Sequence, residues 1–242
     1  MRKIAKTIYV ACSVTFAVFL CDAPAVASEV LNTRFGGVSL NFPYPDKLCL
    51  LGRKGGEKAF WDHQTMAQRQ AGNKLLVAWL NCEAKRRLRN GESTDLKEWV
   101  LVVAQLSGAT KTERTFPKIR RDQYIKSLAK AFPNLDLNEI KENMDRAIEK
   151  ANSVILGDKA AVALNDPINL GVLGVEDAVY FGMILNVGNK IEVKPIAFVG
   201  GLTILNGAPV AHYTYRHYEG EKTISELLSK AKYYNAKLIF SN

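Results

Sequence analysis

Between Asp177 and His217 the chain spells three β-rich segments separated by two short turn signals, and no other stretch leaves so few ways to fold. Residues 178–187 are apolar and stop at Gly188-Asn189, and residues 190–205 stop at Asn206-Gly207. Residues 209–217 carry Val210, Tyr213, Thr214 and Tyr215. Gly-Asn and Asn-Gly supply the positive φ angles that two-residue hairpin turns require. The stretch therefore predicts a three-strand antiparallel meander near the C-terminus.

The rest of the chain is read around that meander. Residues 38–42 and 47–51 are β-like and are interrupted by Pro43 and Pro45, so they read as a hairpin or a bent strand at a sheet edge. Residues 74–82 and 98–106 are nearly continuous apolar runs, which predicts buried strands, while the polar stretch 107–116 reads as an exposed connection. A helix is expected over 57–71, with Phe60, Gln64, Ala67 and Ala71 on one stripe and Gly72 as its stop. A short polar helix over 83–90 holds the densest basic cluster, Lys85, Arg86, Arg87 and Arg89.

Two helices are predicted over 117–151. The first carries Tyr124, Ile125, Leu128 and Phe132; the second follows a capping box at Asp136 and Glu139. Together they form a helical hairpin inserted relative to the sheet. Residues 171–175 open a further strand. A last helix is expected to start at the capping box Thr223-Ile-Ser-Glu226 and to end near Asn235. The fold class is α+β: an antiparallel sheet flanked by helices, in one domain spanning 28–242.

The first residues predict the compartment. Arg2, Lys3 and Lys6 precede an apolar run over 8–20, and Ala25-Val26-Ala27 offers a cleavage site between Ala27 and Ser28. This is the layout of a secretory signal peptide. The run is shorter than the roughly 20 residues a membrane-spanning helix needs. Removing Arg2, Lys3, Lys6 and Asp22 lowers the formal charge from +9 to +7. A basic exported protein points to anionic lipid, glycan or an envelope protein as partner, and export argues against nucleic acid.

Cleavage would leave two cysteines, Cys49 and Cys82, in a compartment that permits oxidation. A structural disulfide between them would contribute about 3–4 kcal/mol in the chain-entropy model. No catalytic signature accompanies them. HExxH, CxxC, GxSxG and the phosphate-loop pattern GxxxxGK[ST] are all missing, and no cofactor pattern is present. His212 and His217 lie five apart on a strand, on opposite faces, so they cannot share a metal. Tyr213, Tyr215 and His217 share one face, which either packs under the last helix or is a partner-binding surface.

Several spellings carry a resemblance. Val38-Ser-Leu, Pro45, Cys49, Asn73-Lys-Leu-Leu, Cys82, Arg89-Asn-Gly, Gly201-Leu-Thr and Leu227-Leu-Ser-Lys-Ala resemble those of small, uncharacterised exported proteins of alphaproteobacteria. The order of elements is similar to the PsbP/DcrB-like α/β/α sandwich. That resemblance implies a binding or assembly accessory of the envelope without catalysis. An envelope hydrolase with a non-standard site and a basic protein held at a membrane surface are the alternatives. Thiol labelling of the oxidised, denatured mature protein is expected to find no free cysteine; two reactive thiols would contradict the disulfide.

Overall fold

A computed structural model describes residues 30–92, 94, 96–108, 110–132, 163–188 and 193–242. The architecture is α+β. The N-terminal part contains β1 (Val30–Phe35), β2 (Val38–Pro43), β3 (Leu48–Leu50), α1 (Gly55–Gln70), β4 (Asn73–Asn81), α2 (Cys82–Arg89), β5 (Glu98–Ser107) and β6 (Thr112–Glu113). After α3 (Arg121–Ala131) come β7 (Ala163–Val175), β8 (Val179–Gly188), β9 (Val193–Leu205), β10 (Ala208–His217) and α4 (Glu221–Phe240).

Strands β1 and β2 form a separate hairpin, and the main sheet has the order β3-β4-β5-β10-β9-β8-β7, with β6 paired to β5. Among the described residues, two antiparallel meanders, β3 to β5 and β7 to β10, are thus joined by the pairing of β5 with β10. Its register runs from Val210 opposite Ala104 to Arg216 opposite Glu98.

The predicted meander is present and extends one strand further, because β7 pairs with β8. Its second turn is as expected: Leu205 faces Ala208 across Asn206 and Gly207, at φ 47° and 79°. Its first turn is not. Gly188 faces Val193, so the connection has four residues, and these lie outside the described ones. Within the predicted helical hairpin, α3 is present, while the second helix also falls outside the described residues.

Two further expectations are corrected. Residues 38–43 do not pair with 47–51; they pair with β1 across Gly36-Gly37, whose φ values of 55° and 86° make the tight turn. Pro43 and Pro45 separate β2 from β3, and only β3 joins the main sheet. The last helix starts at Glu221, not at Thr223. Thr223 Oγ accepts a hydrogen bond from the Glu219 amide, and Glu226 pairs with Arg216 instead of capping. The helix continues past Asn235 because Leu227, Ala231, Tyr234 and Leu238 keep its apolar stripe intact to Phe240.

The sheet is covered on both faces. On one, α4 packs across β8, β9 and β10, and the β1–β2 hairpin sets Phe35, Leu40 and Phe42 against Trp79, Val102 and Ala104. On the other, α1 covers β4, and α3 lies against β8 and β9. The apolar run of β4 serves both faces through a bulge: Leu76, Val77 and Trp79 join the first core, while Leu75, Ala78 and Leu80 join the second.

His212 is completely buried beneath α4, edge-on to the Tyr234 ring at 5.6 Å. Gly201 makes room for it, since a Cβ there would stand 2.3 Å from His212 Nε2. Neither ring nitrogen has a hydrogen-bond partner among the described residues, and burial pushes the pKa down to about 3. The unfolded chain takes up this proton near pH 6.5 and the folded one does not, so stability from this group is intact above pH 6.5 and lost as pH falls toward 3. The slope in that window is about 1.4 kcal/mol per pH unit. Urea titrations at pH 7 and pH 5 are expected to show His212→Leu gaining stability over the parent as pH falls; a pH-independent difference would contradict this.

Candidate functional site

A cleft of about 550 Å³ opens where α4 stands away from the β3–β4–β5–β10 side of the sheet. Its floor follows from strand register. Arg216 faces Glu98 and Thr214 faces Val100, so these four side chains project together from β10 and β5. Lys230, Tyr233, Tyr234 and Lys237 line it from α4 at helical spacing.

The loop Pro45–Leu48 forms the remaining wall. Cys49 and Cys82 are joined by a disulfide with Cα atoms 5.0 Å apart, and Leu48 pairs with Asn81. The wall is therefore tied covalently to the end of β4. Lys47 sits in this loop with φ 64°, a left-handed conformation that a lysine adopts at a cost.

Five cations line the cleft (Lys47, Lys97, Arg216, Lys230 and Lys237) against two carboxylates, Asp46 and Glu98. Lys230 bonds Glu98 at 2.6 Å, Lys237 bonds Asp46 at 2.9 Å, and Arg216 bonds Glu226 at 2.6 Å. The Asp46 carboxylate holds the Lys237 ammonium above the ordinary lysine value. Lys47 and Lys97 are exposed and have no carboxylate partner among the described residues. Tyr234 is almost wholly buried, its hydroxyl has no partner among the described residues, and burial raises its pKa so that it stays a neutral phenol. The set offers charge and hydrogen-bond donors to an anion. Both of its carboxylates are already engaged by lysines, and among the described residues neither is paired with a histidine or a second acid.

The residues singled out from sequence lie elsewhere. Tyr213 and Tyr215 do not face α4, which packs on the opposite side of β10 over His212. They are half-buried in an aromatic row in which Tyr215 stacks on Trp99 at 4.8 Å, and Tyr213 meets Phe181 and Phe198. Burial pushes the Tyr213 pKa up to about 12. His217 ends the strand, half-buried. Within the basic cluster, Arg89 bonds the buried Glu57 at 2.8 Å, tying α2 to the start of α1, and Arg87 pairs with Glu92 at 3.3 Å. Among the described residues, Lys85 and Arg86 are the members left without a carboxylate. Arg87 and Lys97 also line a small cavity of about 130 Å³ beside the main cleft, so the two basic regions adjoin.

His63 is half-buried on α1 away from the cleft, and burial lowers its pKa. Glu176 pairs with Lys232, and the Asp177 carbonyl accepts from Thr203. Among the described residues no group of three His, Cys, Asp or Glu side chains is placed to hold a metal ion, and no helix is long and apolar enough to cross a membrane.

Fold and site together define a disulfide-bonded α+β protein with a basic cleft beside its last helix. Neither a scan against protein-family models nor a search of curated proteins finds a match to this chain.

Two substitutions separate structural from available cations. Arg89→Ala strands a buried carboxylate and is expected to cost about 1–3 kcal/mol in urea unfolding. Arg86→Ala should stay within about 0.5 kcal/mol. Lys47→Gly relieves the left-handed backbone and is expected to gain up to about 1 kcal/mol.

Proposed function

We propose that this is an exported, non-catalytic binding protein of the bacterial envelope, periplasmic or secreted, whose cleft takes an anionic ligand. The observation that carries the reading is the unbalanced charge around one concave site, in which, among the described residues, Lys47 and Lys97 have no carboxylate partner beside three cations that have one. Strain at Lys47 supports it, since a glycine there would be easier to fold and would remove the charge. The Cys49–Cys82 disulfide fits an oxidising compartment. Helices on both faces of an antiparallel sheet support the PsbP/DcrB-like accessory reading at the level of fold alone.

The test is thermal unfolding with pyrophosphate at constant ionic strength. Pyrophosphate is expected to raise the melting temperature of the parent protein, and the paired change Lys47→Glu with Lys97→Glu to abolish that rise. Arg86→Glu should leave it intact. No rise in the parent, or the same rise in all three proteins, would exclude the cleft as the anion site.

A further inference from the structure

We infer that the cleft belongs to a membrane-docking face, and that its occupant is the anionic headgroup of a bilayer lipid. This rests on the reading of the cleft as an anion site and adds what surrounds it. Lys230, Tyr233, Lys237 and Phe240 follow one another along α4 at spacings of three, four and three, which places them on one stripe of the helix. The two lysines and Tyr233 line the cleft, and Phe240 lies one turn beyond. Phe240 is 94% exposed and Tyr233 55%, more than any other large apolar side chain described.

That exposure is not the fraying of a chain end. The end of α4 is clamped to β2 by three hydrogen bonds and closed on itself by a fourth. Asn41 N donates to Asn242 Oδ1 at 2.9 Å, and Asn41 Nδ2 donates to the Ser241 carbonyl at 2.8 Å. Asn242 Nδ2 donates to the carbonyls of Asn41 and Leu238, each at 2.8 Å. The opposite side of the helix is fixed in the core by Leu227, Ala231, Tyr234 and Leu238. Phe240 is thus held outward by a well-anchored element. Tyr233 is held too, with the Lys237 ammonium 4.6 Å from its ring centre.

A free anion would use the cleft and leave Phe240 without a purpose. A polyanionic glycan would find Tyr233 to stack on and lysines to pair with, but Phe240 offers it no hydrogen bond. A lipid surface uses all of the stripe, because aromatic rings settle at the headgroup level and lysines beside them pair with lipid phosphates. Lys230 and Lys237 can release Glu98 and Asp46 to a phosphate, because exposed ion pairs of this kind hold weakly.

The experiment is co-sedimentation of the oxidised exported protein with phosphatidylcholine vesicles, with and without phosphatidylglycerol. Binding is expected only to the anionic vesicles and should fall as salt rises. Phe240→Ser is expected to weaken it about tenfold, as loss of one inserted ring implies. The same variant should keep its parent melting temperature and its response to pyrophosphate. The paired change Lys47→Glu with Lys97→Glu should abolish both vesicle binding and that response. A pyrophosphate response without vesicle binding would overturn the lipid assignment and leave the anion site standing. Vesicle binding indifferent to Phe240→Ser, or equal on neutral vesicles, would overturn it too. So would retention on heparin-type glycan, unaffected by Phe240→Ser, in a protein that ignores vesicles. If pyrophosphate and vesicles both fail, the anion reading falls with it.

Discussion

The pairing of β5 with β10 is the interaction on which the rest of the structure depends. Among the described residues it is the one place where strands of the N-terminal and C-terminal meanders pair. Bringing such distant strands together costs about 4 kcal/mol in loop-closure entropy. That cost is offset by burial on both faces of the seam. On one, Val100 and Val102 meet Thr214 and His212 under α4 and the hairpin; on the other, Trp99 lies flat against Tyr215, 2° from parallel. A stacked aromatic pair adds about 0.5–1.5 kcal/mol beyond its buried area. The same register sets Arg216 beside Glu98 and Thr214 beside Val100, so the floor of the cleft is a by-product of the seam that closes the fold.

The walls of the cleft are held by interactions of different strength, and the difference bears on function. The loop carrying Asp46 and Lys47 is fixed by a disulfide and by strand pairing with β4. Lys230–Glu98 and Lys237–Asp46 reach across the opening, but exposed pairs of this kind contribute at most about 1 kcal/mol each. The frame is therefore rigid, while the charges inside it can change partners at little cost. That combination suits a site that exchanges an internal carboxylate for an external anion.

Much of the fold was legible because its signals were local. Asn206-Gly207 announced its turn, the apolar runs at 74–82 and 98–106 became β4 and β5, and Cys49 with Cys82 became a disulfide. The Gly36-Gly37 turn carried an equally local signal, but residues 30–35 alternate polar and apolar too weakly to mark β1 as a strand. The Thr223–Glu226 capping pattern misled because Arg216, on the preceding strand, competes for the same carboxylate. The cleft was not legible at all. Its residues come from the 45–48 loop, the end of β4, Lys97 before β5, β5, β10 and α4, and strand order and the packing of α4 bring them together. The reading of Tyr213 and Tyr215 depended on which face of β10 the last helix takes. Parity could separate the two faces but could not choose between them. Gly201 and His212 decide it, since the glycine leaves the ring room to lie beneath α4.

The central claim is that one basic cleft, and not the aromatic row or the α2 cluster, is where this protein meets its ligand. Backbone amide chemical-shift mapping during a pyrophosphate titration addresses it most directly. Shifts are expected to concentrate at Lys47, Lys97, Thr214, Lys230 and Tyr233. Shifts confined to Lys85–Arg89, or to Tyr213 and Tyr215, with the cleft unmoved, would contradict it.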